Sequence, residues 1–114
     1  MITLYGIKNC DTVKKARTWL DKRKIIYKFH DFREDGLTAE QVKQWADELG
    51  WEALINKRST TWKTLGESVK VLLNDETIVD VIIDSPTLIK RPLLDNGKTR
   101  TVGFKIPEYE QLLK

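Results

Sequence analysis

Eight consecutive residues, Tyr5-Gly6-Ile7-Lys8-Asn9-Cys10-Asp11-Thr12, contain the only cysteine of the chain and join a predicted strand to a predicted helix. The strand is Ile2-Thr3-Leu4-Tyr5, whose β-branched and aromatic residues favour extended structure. The helix is indicated by Val13, Ala16 and Leu20, which recur at i, i+3 and i+7 and form one apolar stripe. Cys10 therefore lies at a helix start, where unpaired backbone N–H groups and the helix dipole favour an anion.

The surroundings of Cys10 predict a reactive thiol. Lys8 and Lys14 add positive charge nearby, and positive surroundings favour the thiolate form of a cysteine. The alternative interpretation is a small buried hydrophobic residue, which is the usual role of a free cysteine. The position on a strand-to-helix turn and the polar neighbours favour the first interpretation. We therefore predict that Cys10 is a nucleophile.

Length and composition indicate a small single-domain protein. The chain has 114 residues, 40% of them hydrophobic and 32% charged, with no apolar run long enough to span a membrane. One cysteine allows no internal disulfide, and the N-terminal residues do not resemble a secretory signal, so we expect a cytoplasmic protein. The net charge of +3 is small and dispersed, which favours neither a nucleic-acid nor a membrane partner. We expect a monomer without a metal site, because one cysteine and one histidine cannot form a closed one.

The apolar pattern predicts an α/β fold. Strand 2–5, a helix near 11–23 and a second strand over 25–30 form a parallel βαβ unit. A capping box at 38–41 begins a helix that Gly50 ends, and further short helical pieces follow to residue 73. The segment 76–84 has features of both strand and helix, and we predict a helix.

The last thirty residues predict a ββα unit. Thr87-Leu88-Ile89 follows Pro86 and is a candidate third strand. Asn96-Gly97 between two apolar runs is typical of a β-hairpin, and Pro107 suits the first turn of a final helix. We therefore expect a mixed sheet with a single domain over 1–114, in which 1–33 and 86–114 form the core and about 37–84 is a helical insertion.

The whole chain resembles the arsenate reductase (ArsC)/Spx family of thioredoxin-fold proteins, and within it the YffB branch of small reductase-like proteins. Besides the octapeptide with Cys10, three stretches carry the resemblance: Phe29-His30-Asp31-Phe32-Arg33, Gly50-Trp51-Glu52-Ala53-Leu54 and Ile89-Lys90-Arg91-Pro92-Leu93-Leu94. The resemblance implies a thioredoxin-like (glutaredoxin-like) mixed sheet, with βαβ followed by ββα and helices inserted between the halves.

The resemblance also implies a set of site residues. It implies a cis peptide bond between Arg91 and Pro92 next to the thiol, and it implies that Arg58 and Arg91 converge on Cys10 as two of the three arginines that hold arsenate in true reductases. A guanidinium fork suits such an oxyanion or a carboxylate. Two family features are absent: 103–105 contains no arginine, and Val13 stands where a Cys-x-x-Cys motif would have its second cysteine.

These residues predict a monothiol oxidoreductase. Without a resolving cysteine, an external thiol must release any adduct on Cys10, and glutathione is the natural co-substrate, with no permanently bound cofactor. Its partners would be a small oxidised or electrophilic substrate and, from the resemblance, glutaredoxin. We expect Lys8, Arg58, Arg91 and the helix start to bind carboxylates or an oxyanion, Asn9 and Thr12 to bond the sulfur or its ligand, and Pro92 to line the site.

Three alternatives remain open. Asn9 and Thr12 also fit ordinary turn and capping roles, and His30, the only histidine, fits a structural role. The chain also fits a non-catalytic Spx-like regulator that binds RNA polymerase. A true glutaredoxin-linked arsenate reductase is the third possibility.

Overall fold

Four short strands form one mixed sheet in the computed structural model, which describes residues 2–113. The strands are β1 (Thr3–Gly6), β2 (Lys28–Asp31), β3 (Leu93–Asp95) and β4 (Arg100–Val102). β1 pairs in parallel with β2 and antiparallel with β3, and β3 pairs antiparallel with β4, giving the order β2-β1-β3-β4. The predicted α/β class with a parallel pair and an antiparallel hairpin is confirmed.

The chain divides into two compact units. The first contains the described residues of 1–35 and 91–114, and so holds the sheet with α1 (Asp11–Lys22) and α7 (Ile106–Leu112). The second covers residues 36–90 and is helical. Its helices are α2 (Ala39–Leu49), α3 (Trp51–Leu54), α4 (Thr60–Thr64), α5 (Glu67–Lys70) and α6 (Thr77–Asp84).

The predicted α1 is confirmed, and its end explains why β2 begins later than predicted. Lys24 has a positive φ of 58°, and the backbone N–H of Ile25 donates to the carbonyl of Leu20 at 3.1 Å, which closes the helix. Residues 25–27 are therefore used to leave the helix, and the strand predicted over 25–30 starts at Lys28. The apolar stripe of α1 packs on the sheet, in a core of Leu4, Ala16, Leu20, Leu94 and Tyr109.

The strand register brings several loops to one edge of the sheet. Gly6 pairs with Asp31, Tyr5 with Leu93, and Leu93 with Val102. The carboxyl ends of β1, β2 and β4 and the amino end of β3 therefore lie at the same edge. Cys10 follows β1 by a short loop, so the thiol-bearing helix start belongs to this edge.

The second unit contains α2, the helix that the sequence predicts most clearly. Thr38 Oγ1 accepts from the backbone N–H of Gln41, and Gln41 Oε1 accepts from that of Thr38, both at 3.1 Å, so the predicted capping box is confirmed. Gly50, with φ 84°, ends the helix as predicted. The ambiguous segment 76–84 is helical, and α6 buries Ile78, Val79 and Ile82.

The strand predicted at Thr87-Leu88-Ile89 is wrong. Pro86 begins a 3-10 turn over Pro86–Leu88, closed by the N–H of Ile89 donating to the Pro86 carbonyl at 3.1 Å. Only Ile89 pairs in extended fashion, in an isolated bridge with Ile55. The fixed φ of Pro86, which favours a turn, thus outweighed the strand preference of the β-branched residues that follow it.

The predicted hairpin is confirmed. Asn96 Oδ1 accepts from the backbone N–H groups of Lys98 at 2.9 Å and Thr99 at 2.7 Å, which folds the turn. Gly97 has φ 92°, a value that side chains disfavour. Among residues 2–113, no helix is long and apolar enough to cross a membrane.

Candidate functional site

The thiol loop, residues Ile7 to Cys10, delivers the only thiol to the start of α1. Cys10 is the N-cap residue, with extended φ and ψ of −97° and 124°, and its carbonyl accepts from the N–H of Lys14 at 3.0 Å. Its own N–H donates to the carbonyl of Ile7 at 3.4 Å, and the side chain is partly buried. Within the described part of the chain, no side chain caps this helix. The first amides of the 12-residue helix are thus available to an anion beside the thiol.

The end of β1 and the first turn of α1 approach each other closely. A Cβ placed on Gly6 would lie 2.7 Å from Cγ2 of Val13, which is closer than real side chains pack. Val13 itself is fully buried. Glycine at position 6 therefore allows the helix start, and Cys10 with it, to lie against the strand.

Asp31 holds the thiol loop to the loop that follows β2. Its carboxylate accepts the backbone N–H of Lys8 at 3.2 Å on Oδ2, and those of Arg33 at 2.7 Å and Glu34 at 3.2 Å on Oδ1. Its own N–H donates to the Asp35 carboxylate at 3.0 Å. Asp31 is only 4% exposed, so these donors replace the water that an ionised carboxylate otherwise needs.

Two opposing effects, burial and hydrogen bonding, set the charge state of Asp31. Burial by itself would raise its pKa, but the backbone N–H groups of Arg33, Glu34 and Lys8 stabilise the anion. The result is a pKa of Asp31 below its ordinary value. A carboxylate that stays ionised at neutral pH thus fixes the backbone two residues before the thiol.

The ammonium group of Lys8 forms an ion pair with Glu34, which lies at the same edge of the sheet. Its ammonium Nζ lies 2.9 Å from both oxygens of Glu34, in a pair whose side chains are more than half exposed. The hydrogen bond and the charge of Glu34 raise the pKa of Lys8 above its ordinary value. Such an exposed pair is weak, so the ammonium can exchange Glu34 for a ligand carboxylate.

A cleft of about 240 Å³ lies between the thiol loop and the loop after β2. It is lined by Ile7, Lys8, Asn9, Asp31, Arg33 and Glu34. Two cationic and two anionic side chains line it, so its charges balance. A ligand that carries both an ammonium and a carboxylate suits this cleft better than a simple anion does.

The peptide bond between Arg91 and Pro92 is cis, as the resemblance implied. Pro92 is buried and immediately precedes β3, and its carbonyl accepts from the N–H of Gly103 at 2.9 Å. Arg91 is partly buried. Since Leu93 pairs with Tyr5, Arg91 and Pro92 lie at the same sheet edge as the thiol loop.

The remaining predicted residues fall in different places. Asn9 and Thr12 flank Cys10 and are exposed. Arg58 belongs to the second unit, where it is exposed and its N–H donates to Asn56 Oδ1 at 3.0 Å, so its convergence on Cys10 stays a prediction. His30 lies on β2 with its ring 4.8 Å from that of Tyr5, a packing contact within the sheet. Among residues 2–113, no three His, Cys, Asp or Glu side chains are grouped to hold a metal ion.

Sequence reasoning missed Asp31 as a site residue. One signal was available, because Asp31 stands at the carboxyl end of a predicted parallel strand, where loops of neighbouring strands meet. The spacing Asp31 to Asp35-Gly36 is also typical of a turn closed by side-chain acceptors. What the sequence did not contain was the partner, since Lys8 is bound through its backbone and any residue type supplies that donor.

Comparisons with known proteins agree on one family. The model of the ArsC family matches residues 5–112. An uncharacterized protein of Haemophilus influenzae is 49% identical over 110 residues, covering 96% of each chain, and the global transcriptional regulator Spx of Streptococcus agalactiae is 30% identical over 115 residues, covering 99% of this chain and 83% of the other.

Two solved structures extend the comparison. A YFFB protein superposes with a TM-score of 0.95 at 41% identity over the whole of both chains. An arsenate reductase (ArsC) related protein from Brucella melitensis superposes with a TM-score of 0.79 at 40% identity, covering 99% of this chain and 94% of that one. The thioredoxin-like fold expected from the sequence is thereby confirmed.

Proposed function

Since the chain belongs to the ArsC family, we propose that it is a monothiol oxidoreductase that uses Cys10 as its nucleophile and glutathione as its co-substrate. The observation that carries the proposal is the position of Cys10, the only cysteine, at the uncapped start of a 12-residue helix. The start of a helix is a favourable place for an anion, and a thiolate is the form of cysteine that attacks disulfides.

The proposed reaction is a pair of thiol–disulfide exchanges. The Cys10 thiolate attacks the glutathione sulfur of a glutathione mixed disulfide, the S–S bond breaks, and the departing thiolate takes a proton from water. A second glutathione, as its thiolate, attacks the glutathione sulfur now bound to Cys10. This step releases oxidised glutathione and restores the Cys10 thiolate, so no resolving cysteine is needed.

The proposed binding of glutathione uses charges at the sheet edge. Its γ-glutamyl end carries an ammonium and a carboxylate, which suit the balanced cleft beside the thiol loop, with Lys8 exchanging Glu34 for the ligand. Arg91 would hold the second carboxylate through its guanidinium fork. Pro92 would line the site, and Asn9 and Thr12 would donate to the sulfur or its ligand, while Arg58 is assigned by the resemblance alone.

The test is a coupled assay of a glutathionylated peptide with glutathione, glutathione reductase and NADPH. Cys10→Ser should abolish NADPH consumption and the glutathione adduct seen by mass spectrometry. Arg91→Ala should raise KM by about tenfold, Arg91→Lys should recover part of the loss, and Lys98→Ala in the β3–β4 hairpin is the control. Unchanged turnover by Cys10→Ser would refute the proposal.

A second candidate function is supported by the Spx relatives, whose 30% identity extends over 99% of this chain. In that case the chain would be a regulator that binds RNA polymerase and Cys10 would not be catalytic. Turnover that depends on Cys10 favours the oxidoreductase. Absence of turnover together with binding to purified RNA polymerase, measured by surface plasmon resonance, favours the regulator.

Arsenate reduction is the third activity to test, because an arsenate reductase related protein is 40% identical to this chain. Arsenate would be supplied with glutathione and with or without glutaredoxin, and arsenite would be measured. We expect little turnover, since residues 103–105 contain no arginine to complete a three-arginine site. We further propose that the protein acts as a monomer in the cytoplasm, where the glutathione pool keeps thiols reduced.

A further inference from the structure

The second unit contains an open groove of about 830 Å³ between α2 and α6. Its lining includes none of the residues assigned to the thiol chemistry. Residues of both helices line it, among them Glu40, Lys43, Asp47, Glu76, Val79 and Asp80. Every lining residue belongs to residues 36–90, so the groove is formed within this unit alone.

The groove is strongly acidic in a chain that is basic as a whole. Five carboxylates line it against a single ammonium, whereas the complete chain has a net charge of +3. That ammonium, Nζ of Lys43, is already taken by Asp47 at 2.7 and 2.9 Å. The hydrogen bond to Asp47 raises the pKa of Lys43, and the nearby charges of Asp47, Glu76 and Asp75 act in the same direction.

Several of these carboxylates are not engaged in ion pairs. Within residues 2–113, Glu40, Glu76 and Asp80 form no ion pair, and all three are exposed. Because Lys43 is already bound to Asp47, its single charge offsets only a part of the negative charge that the five carboxylates bring to the groove. Such an excess of negative charge attracts cationic groups and raises their local concentration.

The groove also has an apolar part. Ala39 and Val79 contribute to its lining, and Ile83 continues the line of Glu76, Val79 and Asp80 along α6 by one further turn. Ile83 is 38% exposed, although it lies on a helix whose other apolar residues are mostly buried. An apolar strip bordered by unpaired carboxylates is suited to a ligand with apolar residues bordered by cations.

We propose that this groove is a docking site for a basic amphipathic segment of another protein. Charge complementarity selects the occupant: lysines or arginines of the segment would pair with Glu40, Glu76 and Asp80, and an apolar side chain would cover Ile83. The docking does not use Cys10, so it is a second property of the chain, independent of the proposed redox activity.

A second copy of the chain is the competing occupant, because α1 exposes Lys14, Lys15 and Lys22. Two different surfaces would then meet, so in a pair of copies one copy would keep an unfilled groove and the other an unfilled basic helix. Such head-to-tail contacts continue from copy to copy unless a ring closes. A basic segment of a different protein fills the groove without this consequence and is therefore the occupant we assign.

The test uses the full chain and a fluorescein-labelled helical peptide of about 12 residues, built of lysine and leucine, which spans about 18 Å and so matches the length of α2. A peptide with glutamate in place of lysine is the ligand control. Anisotropy should show binding of the lysine peptide alone, weakening by at least about tenfold between 50 and 500 mM salt. Amide shifts measured by NMR should concentrate in α2 and α6.

Variants separate the groove from general attraction to an acidic surface. Glu76→Gln with Asp80→Asn should weaken binding by about tenfold, and Ile83→Ala by about threefold with an unchanged salt dependence. The matched control, Asp21→Asn with Glu110→Gln, removes the same charge from exposed positions of the first unit and should change affinity less than twofold.

Three outcomes would overturn the proposal. Equal losses in the groove and control pairs would mean that binding is unspecific attraction. Equal binding of both peptides would remove charge as the basis of recognition. Self-association in sedimentation experiments that Glu76→Gln with Asp80→Asn abolishes would assign the groove to a second copy of this chain.

Discussion

Replacing Asp31 by asparagine should loosen the thiol loop while leaving the fold in place. The carboxylate accepts three backbone N–H groups, one on Oδ2 and two on Oδ1. An asparagine oxygen in the Oδ1 position keeps the bonds from Arg33 and Glu34, but its NH₂ group then faces the N–H of Lys8 as donor against donor. A buried donor without a partner costs about 1–3 kcal/mol, so we expect a loss of about 2 kcal/mol for Asp31→Asn.

Asp31→Ala removes all three acceptors and gives an upper limit. We expect a loss of about 4 kcal/mol, less than three times the single cost because the loop can relax towards water. In a chain of this size, each kcal/mol lowers Tm by about 4 °C, so the asparagine variant should unfold about 8 °C below the wild type. Thermal unfolding followed by circular dichroism measures both.

The same bond predicts an effect on the thiol. Lys8 lies two residues before Cys10, so losing its anchor should displace the helix start and slow alkylation of Cys10 by iodoacetamide about threefold. The control is Asp95→Asn, because Asp95 also accepts a backbone N–H, that of Gly97 at 2.8 Å, but at the opposite end of the sheet, where it pairs with Thr3. It should lose stability without slowing alkylation. Equal alkylation rates in the two folded variants would refute the assignment of Asp31 to the thiol loop.

The pH dependence has a definite sign. The pKa of Asp31 is lower in the folded chain than its ordinary value of 3.8, so its contribution is fully present above that value and disappears as the pH falls through the lower, folded value. The stability difference between wild type and Asp31→Asn should therefore be constant from about pH 7 to about pH 5 and shrink towards about pH 3. Urea unfolding at each pH measures it, and a difference that grows on acidification would contradict the reasoning.

Three further substitutions test the packing that supports the site. Gly6→Ala should destabilise the fold by about 2 kcal/mol and slow Cys10 alkylation, because the new Cβ would meet Val13 Cγ2 at 2.7 Å. Urea unfolding and the alkylation assay measure the two effects. An unchanged alkylation rate would show that the end of β1 does not position the thiol. Tyr109→Phe should leave urea stability unchanged or raise it by about 1 kcal/mol, because the buried phenol oxygen has no partner among the described residues; a clear loss would reveal a bond to it. Thr38→Ala should cost about 1 kcal/mol in the same assay, because it breaks the capping box with Gln41; no change would show that the box contributes nothing.

Local chemistry made most of the fold predictable from the sequence. Val13, Ala16 and Leu20 fixed the buried face of α1, and the capping box fixed the start of α2, because both depend on residues within one or two turns of each other. The Asn96-Gly97 hairpin is local in the same sense. The failures at 25–27 and 87–89 have the same origin, since β-branched residues were given more weight than the helix exit at Lys24 and the turn at Pro86.

The candidate site was predictable only where its residues are neighbours in the amino-acid sequence. Cys10 could be placed at a helix start because strand, turn and helix follow one another in the chain. The anchoring of its loop by Asp31 joins residues 23 positions apart through a backbone donor, which leaves no trace in residue types. The Lys8–Glu34 pair, 26 positions apart, is missed for the related reason that lysine and glutamate are abundant on any surface.

At both departures from the family pattern, the chain has a side chain that packs against its neighbours. Val13, at the position of the second cysteine of a Cys-x-x-Cys motif, is fully buried and is the side chain that contacts Gly6. Phe104, within the stretch 103–105 where a third arginine was sought, stacks edge-on against Tyr109 with ring centroids 4.9 Å apart and packs on the first-unit core, whereas the neighbouring Lys105 is exposed. A cysteine at position 13, or an arginine in place of Phe104, would therefore disturb existing packing contacts. The packing of Val13 thus leaves Cys10 as the single thiol of the chain. A single thiol favours a reaction whose second thiol comes from solution.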